Sequence, residues 1–198
     1  MKNTIWMPVV TIALCAAILL AAAFGLNSIA AENAQKEHLT MMQTLLPGST
    51  TFTVEPYTGE DTNIVSVHKG ENGYVIETCS YGYAGNITML IGVSHAGKVT
   101  GLVVRDMQET FGLGAQGLTD HVFLAQFLNS SGSFAVATSG ADAFSGATGT
   151  TTTDGSEVTV DALTGATVTS KAIVRCVNSA VAYVTGADAS SSATVWGG

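Results

Sequence analysis

Two short segments of the chain place a hydroxyl behind a nearly bare stretch of backbone. Residues 142–148 read D-A-F-S-G-A-T, and residues 161–167 read D-A-L-T-G-A-T. In each, a threonine (Thr148 or Thr167) follows Gly-Ala, so a bulky group can reach both the backbone and the hydroxyl. The second copy has the richer context. It follows a strand-like run, Glu157–Val160, and opens onto V-T-S-K-A-I, the start of an apolar run with helical spacing. A helix start offers unpaired N–H groups and a partial positive charge, a natural resting place for a phosphate. The Thr and Ser residues at 167–170 are also good N-cap types. The chemistry predicted is a hydroxyl beside an anion site. The plain alternative is a strand–turn–helix whose start is merely capped. Thr148 is the rival position, but Gly149-Thr150-Thr151 follows it rather than a helix-forming run.

The elements that must position these residues lie on either side. Downstream, Thr169 to Val184 is predicted to be a helix, with Ile173, Val177, Ala180, Val181 and Val184 on one face and Ala172 and Cys176 adjoining. Upstream are strand-like runs at Thr51–Tyr57, Ile64–Lys69, Tyr74–Cys79, Ile87–Ser94 and Val99–Arg105, separated by Gly- and Asn-containing turn signals. The last two runs form the clearest hairpin. Residues 106–118 are a Gly-rich loop, and Thr119–Leu128 reads as a short helix. Asn129–Ser156, low in charge and rich in Gly, Ser, Thr and Ala, reads as irregular. The expectation is a strand-rich α+β domain over 32–186 with a C-terminal helix, then a flexible tail at 187–198.

A length of 198 residues leaves room for one domain and a short appendage. Seven basic against fifteen acidic residues argue against a nucleic-acid partner, which needs a basic face. Mean hydropathy is +0.36, and the excess sits at the N-terminus. From Ile5 to Leu26 runs a stretch of 22 residues without a charge, close to the ~20 that cross a bilayer at ~1.5 Å per residue. Trp6 suits an interfacial anchor. Lys2 precedes the run, while Glu32, Lys36 and Glu37 follow it, which predicts a cytoplasmic N-terminus and an extracytoplasmic domain in a cell-membrane protein. A cleaved signal peptide, cut near Ala30-Ala31, is the alternative; the run exceeds the usual 7–15-residue apolar core of such peptides. Residues 1–31 are therefore read as a single transmembrane helix and short linker. Residues 32–46 read as a helix stopped by Pro47-Gly48, with 27–36 as a tether on which the domain swings. Both readings export residues 32–198, with six basic and fifteen acidic residues, a net −9. Cys15 falls in the span. Cys79 and Cys176 are read as buried thiols, with a bridge between them left open. Neither C-x-x-C nor clustered histidine is present, so no protein-ligated metal is expected.

The run D-A-L-T-G-A-T-V-T-S-K-A at 161–172 resembles the flavinylation motif of the FMN-binding domain family. The resemblance is to its Rnf-type G subunits above all and, as an alternative, to the C subunits of sodium-pumping NADH:quinone reductases. It implies a phosphodiester between FMN and the last threonine of the motif, here Thr167, with Thr164, Gly165 and Ala166 around it. Asp161 matches the acid read by the flavin transferase that installs the cofactor from FAD after export. Gly82-Tyr83-Ala84-Gly85-Asn86-Ile87 resembles the family's Gly-rich entry to its central hairpin, with Ala84 and Asn86 where Gly and Pro are preferred. Glu109-Thr110-Phe111-Gly112-Leu113-Gly114 resembles its E-T-P-G-L-G loop near the isoalloxazine, with Phe111 in place of Pro. Glu109, Thr110, Gly112, Leu113 and Gly114 thereby become candidate wall residues, with Leu113 over one ring face and Thr110 at the ring edge. The three motifs follow the family's order over roughly residues 32–185.

The same resemblance implies a role. The chain would be a redox subunit of an ion-transporting ferredoxin:NAD⁺ oxidoreductase, not an enzyme alone. It would take electrons from an iron–sulfur centre held by membrane subunits and pass them to a second covalent FMN on the D-type subunit. Its partners would be the membrane subunits A, D and E and the soluble subunits B and C, with Na⁺ or H⁺ as the coupling ion. A standalone extracytoplasmic flavoprotein and a non-redox, membrane-anchored surface module are the competing readings.

Overall fold

Apolar residues build one antiparallel sheet whose central strands are buried on both faces, with Leu90 fully buried as well as Met89 and Ile91. The computed structural model describes residues 6–110, 112, 114–115, 120–137 and 158–186, with backbone alone at 6–9, 18–29 and 31. Five strands, β1 (Thr53–Glu55), β2 (Ile64–Lys69), β3 (Gly73–Tyr81), β4 (Asn86–Ser94) and β5 (Val99–Met107), form a sheet in sequence order. Every neighbouring pair is antiparallel. The register sets Ile76 opposite Ile91 and Thr78 opposite Met89, and Met89 in turn opposite Val104. Ile76, Ile87, Met89 and Ile91 are fully buried and share one core with Ala172, Ile173, Cys176 and Val177. Those four belong to the C-terminal helix, which runs Thr167–Thr185. Each buried Ile or Met contributes about 1.5–3 kcal/mol of transfer free energy, so the helix is held to the sheet mainly by its apolar stripe.

Two smaller elements complete this core. Helix α2 (His121–Ala125) is shorter than the predicted Thr119–Leu128. Its start is fixed by Asp120, whose Oδ1 accepts from the N–H groups of Val122 and Phe123, each at 3.0 Å. Strand β6 (Phe134–Val136) pairs in parallel with β7 (Val158–Val160). The sequence reads 134–136 as irregular; the structure makes it a strand because a distant residue supplies what local pattern lacks. Asn178, on the C-terminal helix (now α3), accepts from Phe134 N–H at 2.8 Å and donates to its carbonyl at 2.9 Å. Phe127 stacks against Phe134 at 5.2 Å between centroids. Residues 138–157, with Thr148, and the tail at 187–198 lie outside the described residues.

The chain divides into two compact units, residues 1–41 and 42–198. The first consists of helix α1 (Trp6–Leu45), whose 40 residues continue into the second. At ~1.5 Å per residue it is about 60 Å long. It runs unbroken through 27–36, so the segment read as a tether is helical. Among the described residues no helix is long and apolar enough to cross a membrane; the side chains at 18–29 lie outside that description. Within the second unit Met42, Leu45 and Leu46 are buried. Thr100 donates to the Leu45 carbonyl at 2.6 Å, satisfying one of the acceptors that every helix end leaves open. Beyond the Pro47-Gly48 stop, Glu71 straps the chain to the β2–β3 turn. Its carboxylate accepts from Thr50 N–H at 2.9 Å and the Thr51 hydroxyl at 2.9 Å. A hydrogen bond from its own N–H, then those from Thr51 and Thr50, holds this carboxyl down to about 2.

Candidate functional site

The start of α3 is set by a glycine. Gly165 has φ +74°, a left-handed conformation that residues with a Cβ adopt only at a penalty. It turns the chain from β7 into the helix, and Ala166 N–H closes the turn on the Leu163 carbonyl at 2.9 Å. The sequence expects the Thr and Ser residues at 167–170 to cap this helix. The cap position falls instead on Ala166, and no side chain caps the first turn. The early turn at Gly165 has pulled all three hydroxyls inside the helix.

Those hydroxyls then have different fates. Ser170 is buried; it donates to the Ala166 carbonyl at 3.0 Å and accepts from Leu163 N–H at 2.9 Å. Thr169 is buried and donates to Glu109 Oε2 at 3.0 Å. Thr167 is exposed, and its hydroxyl has no hydrogen-bond partner among the described residues. The first turn contains no acidic side chain, so its N–H groups keep a partial positive charge uncancelled by the helix itself. Lys171 stands one turn beyond Thr167, half-buried and without an ion pair among the described residues. Thr164 and Gly165 are exposed, and Ala166 is buried, so nothing bulky screens Thr167 from the preceding turn.

Glu109 brings the three separate motifs together. Its Oε1 accepts from Tyr83 N–H at 2.7 Å and Ala84 N–H at 3.3 Å, while Oε2 accepts from Thr169. Gly82 and Gly114 make this approach possible. A Cβ on Gly82 would run into Glu109 Oε1, and one on Gly114 would stand 2.6 Å from Thr169 Oγ1 and 2.8 Å from Glu109 Oε2. The loop at 109–115 is closed by Ala115 N–H on the Thr110 carbonyl at 3.2 Å. Thr110 and Gly112 are exposed, and Gly112 has φ +79°. Phe111 and Leu113 lie outside the described residues.

Asp161 is positioned by its backbone. Its N–H donates to Gln126 Oε1 at 2.7 Å, which ties it to the end of α2. Its half-buried carboxylate has no partner among the described residues. Arg175, two turns along α3, donates to Ser80 Oγ at 3.0 Å and to the Tyr81 carbonyl at 2.7 Å, just ahead of the Gly82 turn. Sequence reasoning does not single out Tyr83, Ala84, Gln126, Thr169 or Arg175 as site residues. Glu109 and Thr169 are 60 positions apart, and no local pattern joins them. Cys79 and Cys176 are both free thiols.

Residues 82–182 match the family described as FMN-binding domain. The G subunit of the ion-translocating oxidoreductase complex of Methanosarcina acetivorans is 34% identical over 155 residues, covering 72% of each chain. The G subunit of the proton-translocating ferredoxin:NAD(+) oxidoreductase complex of Clostridium ljungdahlii is 37% identical over 113 residues, 57% of this chain and 53% of that one. The G subunit of the Na(+)-translocating ferredoxin:NAD(+) oxidoreductase complex of Acetobacterium woodii is 34% identical over 110 residues, 55% and 47%. The match thus spans about half the length of the latter two.

Proposed function

The chain belongs to the FMN-binding domain family, and from that premise we propose that it holds FMN as a phosphodiester on Thr167 and relays electrons as a subunit of an Rnf-type ferredoxin:NAD⁺ oxidoreductase. One observation supports the attachment site above the others. Of the three hydroxyls in the first turn of α3, Thr169 and Ser170 are buried and engaged, while Thr167 is exposed and unbonded among the described residues. An accessible hydroxyl next to uncapped N–H groups fits a phosphate ester, because those groups balance its charge without a rearrangement. Lys171 adds a cation one turn away. Gly165 and Ala166 leave room for the group and for the transferase that delivers it.

Bound FMN supplies the redox chemistry; the protein orients it and tunes its potential. Thr167 fixes the cofactor without relying on binding affinity. Thr110, Gly112 and Gly114 are the described residues offered as a wall to the ring, and Leu113 is assigned to it by resemblance alone. Asp161, with its free carboxylate, is the recognition acid for the flavin transferase. Transfer from FAD forms the Thr167 Oγ–phosphorus bond, breaks the pyrophosphate bond and releases AMP. Residues 5–26 of the chain serve as the membrane anchor, with the domain extracytoplasmic. Having no charge in that stretch, the chain holds the electron carrier and leaves the ion path to the membrane subunits A, D and E. The soluble subunits B and C complete the assembly. The names of the relatives include both proton and Na⁺ translocation, so the coupling ion is a property of the whole complex.

The test is intact-mass spectrometry of the full chain co-expressed with a flavin transferase, followed by peptide mapping. A gain of one FMN minus water on the Thr167 peptide, absent in Thr167→Val, is the expected result. An adduct at Thr148 would move the site. No adduct, beside a control substrate that the same transferase modifies, would overturn the flavin relay in favour of a non-redox surface module.

A further inference from the structure

We infer that Glu109 is a positioning residue: its carboxylate clasps the Tyr83–Ala84 turn and the 109–115 loop onto the first turn of α3, so that a cofactor on Thr167 meets a wall already in register. The inference rests on the attachment reading and changes the role of Glu109 from a ring contact to a brace. Three donors converge on the two carboxylate oxygens: Tyr83 N–H, Ala84 N–H and the Thr169 hydroxyl. They come from the hairpin turn and from α3, while Glu109 itself opens the third motif. Two of the donors are backbone groups at a turn, where hydrogen bonds to an ionised acceptor are the strong kind. The bare approach at Gly82 and Gly114 shows that the clasp is packed shut, because a methyl group at either position would strike it.

Covalent attachment through a phosphate leaves the far end of the cofactor free to rotate about many single bonds. A hydroxyl on a helix can hold the near end only. The wall must therefore be held by something other than Thr167, and Glu109 is the group that joins it to the same helical turn. Arg175 secures the strand leading into the turn, through Ser80 and the Tyr81 carbonyl, and its bonds end there. Among the described residues, Glu109 is the side chain that spans all three segments.

The experiment uses the full chain, with and without FMN, in four forms: wild type, Glu109→Ala, Glu109→Gln and Thr169→Val. In the FMN-free protein, amide exchange at Tyr83 and Ala84 is expected to accelerate about tenfold or more in Glu109→Ala, as loss of bonds to a charged acceptor implies. In the flavinylated protein the same variant keeps its FMN but loses flavin fluorescence anisotropy towards the value of a freely rotating tether. Glu109→Gln retains an acceptor for the two N–H groups and restores most of the anisotropy. Thr169→Val removes one contact at nearly constant shape and falls between. Unchanged anisotropy in Glu109→Ala, with FMN on Thr167, would overturn the inference while leaving the attachment intact. Wild-type protein without FMN on Thr167 would overturn the attachment and this inference together.

Discussion

The two ends of α3 are built to opposite plans. At the C-terminal end Tyr183 packs edge-on against Tyr57 at 6.0 Å and Tyr74 at 5.6 Å, and Tyr74 meets His95 at 5.6 Å. The Tyr183 hydroxyl donates to Glu55 at 3.2 Å. Gly186, with φ +71°, caps the helix through its N–H on the Ala182 carbonyl at 2.8 Å. A left-handed glycine and a packed aromatic cluster thus close that end. At the N-terminal end no side chain caps the first turn, Val168 is 43% exposed, and the neighbouring Thr167 is exposed too. The contrast shows that the stability of this helix comes from its middle and its far end.

The comparison can be broken most completely at Thr167. Thr167→Val should abolish covalent FMN while changing unfolding free energy by no more than about 0.5 kcal/mol, as expected for an exposed site without partners among the described residues; intact mass and thermal melts of one preparation check both. The reverse pattern belongs to Tyr183. Tyr183→Ala should remove about 2–4 kcal/mol, since it deletes a part-buried ring and its aromatic contacts, yet FMN should still be found on Thr167 in the folded fraction. Denaturant titration followed by peptide mapping separates the two effects. A gentler change sharpens the contrast from the other side. Ala166→Asp supplies the missing cap, worth about 0.5–2 kcal/mol, but Ala166 is buried in the core, so the cost of burying a carboxylate should leave net stability no higher than wild type. It should also slow flavin attachment, because the new carboxylate takes the N–H groups meant for the phosphate; a timed transferase assay beside a melt would show it. If attachment ran at the wild-type rate, the open start would have no bearing on the chemistry.

The smallest effect is set by pH. Burial and then the charge of Glu55 push the Tyr183 phenol up. A group whose folded value is raised supports the fold fully below its unfolded value near 10 and loses that support as pH rises through the folded value. The C-terminal end should thus loosen first in alkali. Glu71 has the opposite sign: its folded value is depressed to about 2, so its support is present above the unfolded value near 4.5 and fades as pH falls towards 2. Amide exchange at Thr50 and Thr51 below about pH 4, against exchange around Tyr183 above about pH 10, would separate the two titrations.

Much of the fold is legible in the sequence because it is local. Apolar, β-branched runs bounded by turn signals mark Ile64–Lys69 and the hairpin of Ile87–Ser94 with Val99–Arg105, and the structure extends the hairpin only to Asn86 and Met107. The apolar stripe marks the C-terminal helix, which begins two residues earlier than the stripe suggests, at Thr167. What escapes the sequence is non-local or conformational. Strand β6 depends on Asn178, 44 positions away. The missing cap depends on the left-handed turn at Gly165, which a hydroxyl-rich sequence hides. At the candidate site, resemblance points to Glu109 and Asp161. Gln126 and Thr169, which hold them, give no signal, since a hydrogen bond across a fold leaves no periodicity in the chain.

One buried group bears on the whole length of α3. Cys176 sits in the middle of the helix, fully buried, and burial pushes its thiol up to about 12. Thiolates, not thiols, attack electrophiles and exchange with disulfides. Burial thus keeps this sulfur as the protonated thiol, and Cys79 is a separate free thiol. Cys176 in the folded protein should therefore resist iodoacetamide until the chain unfolds.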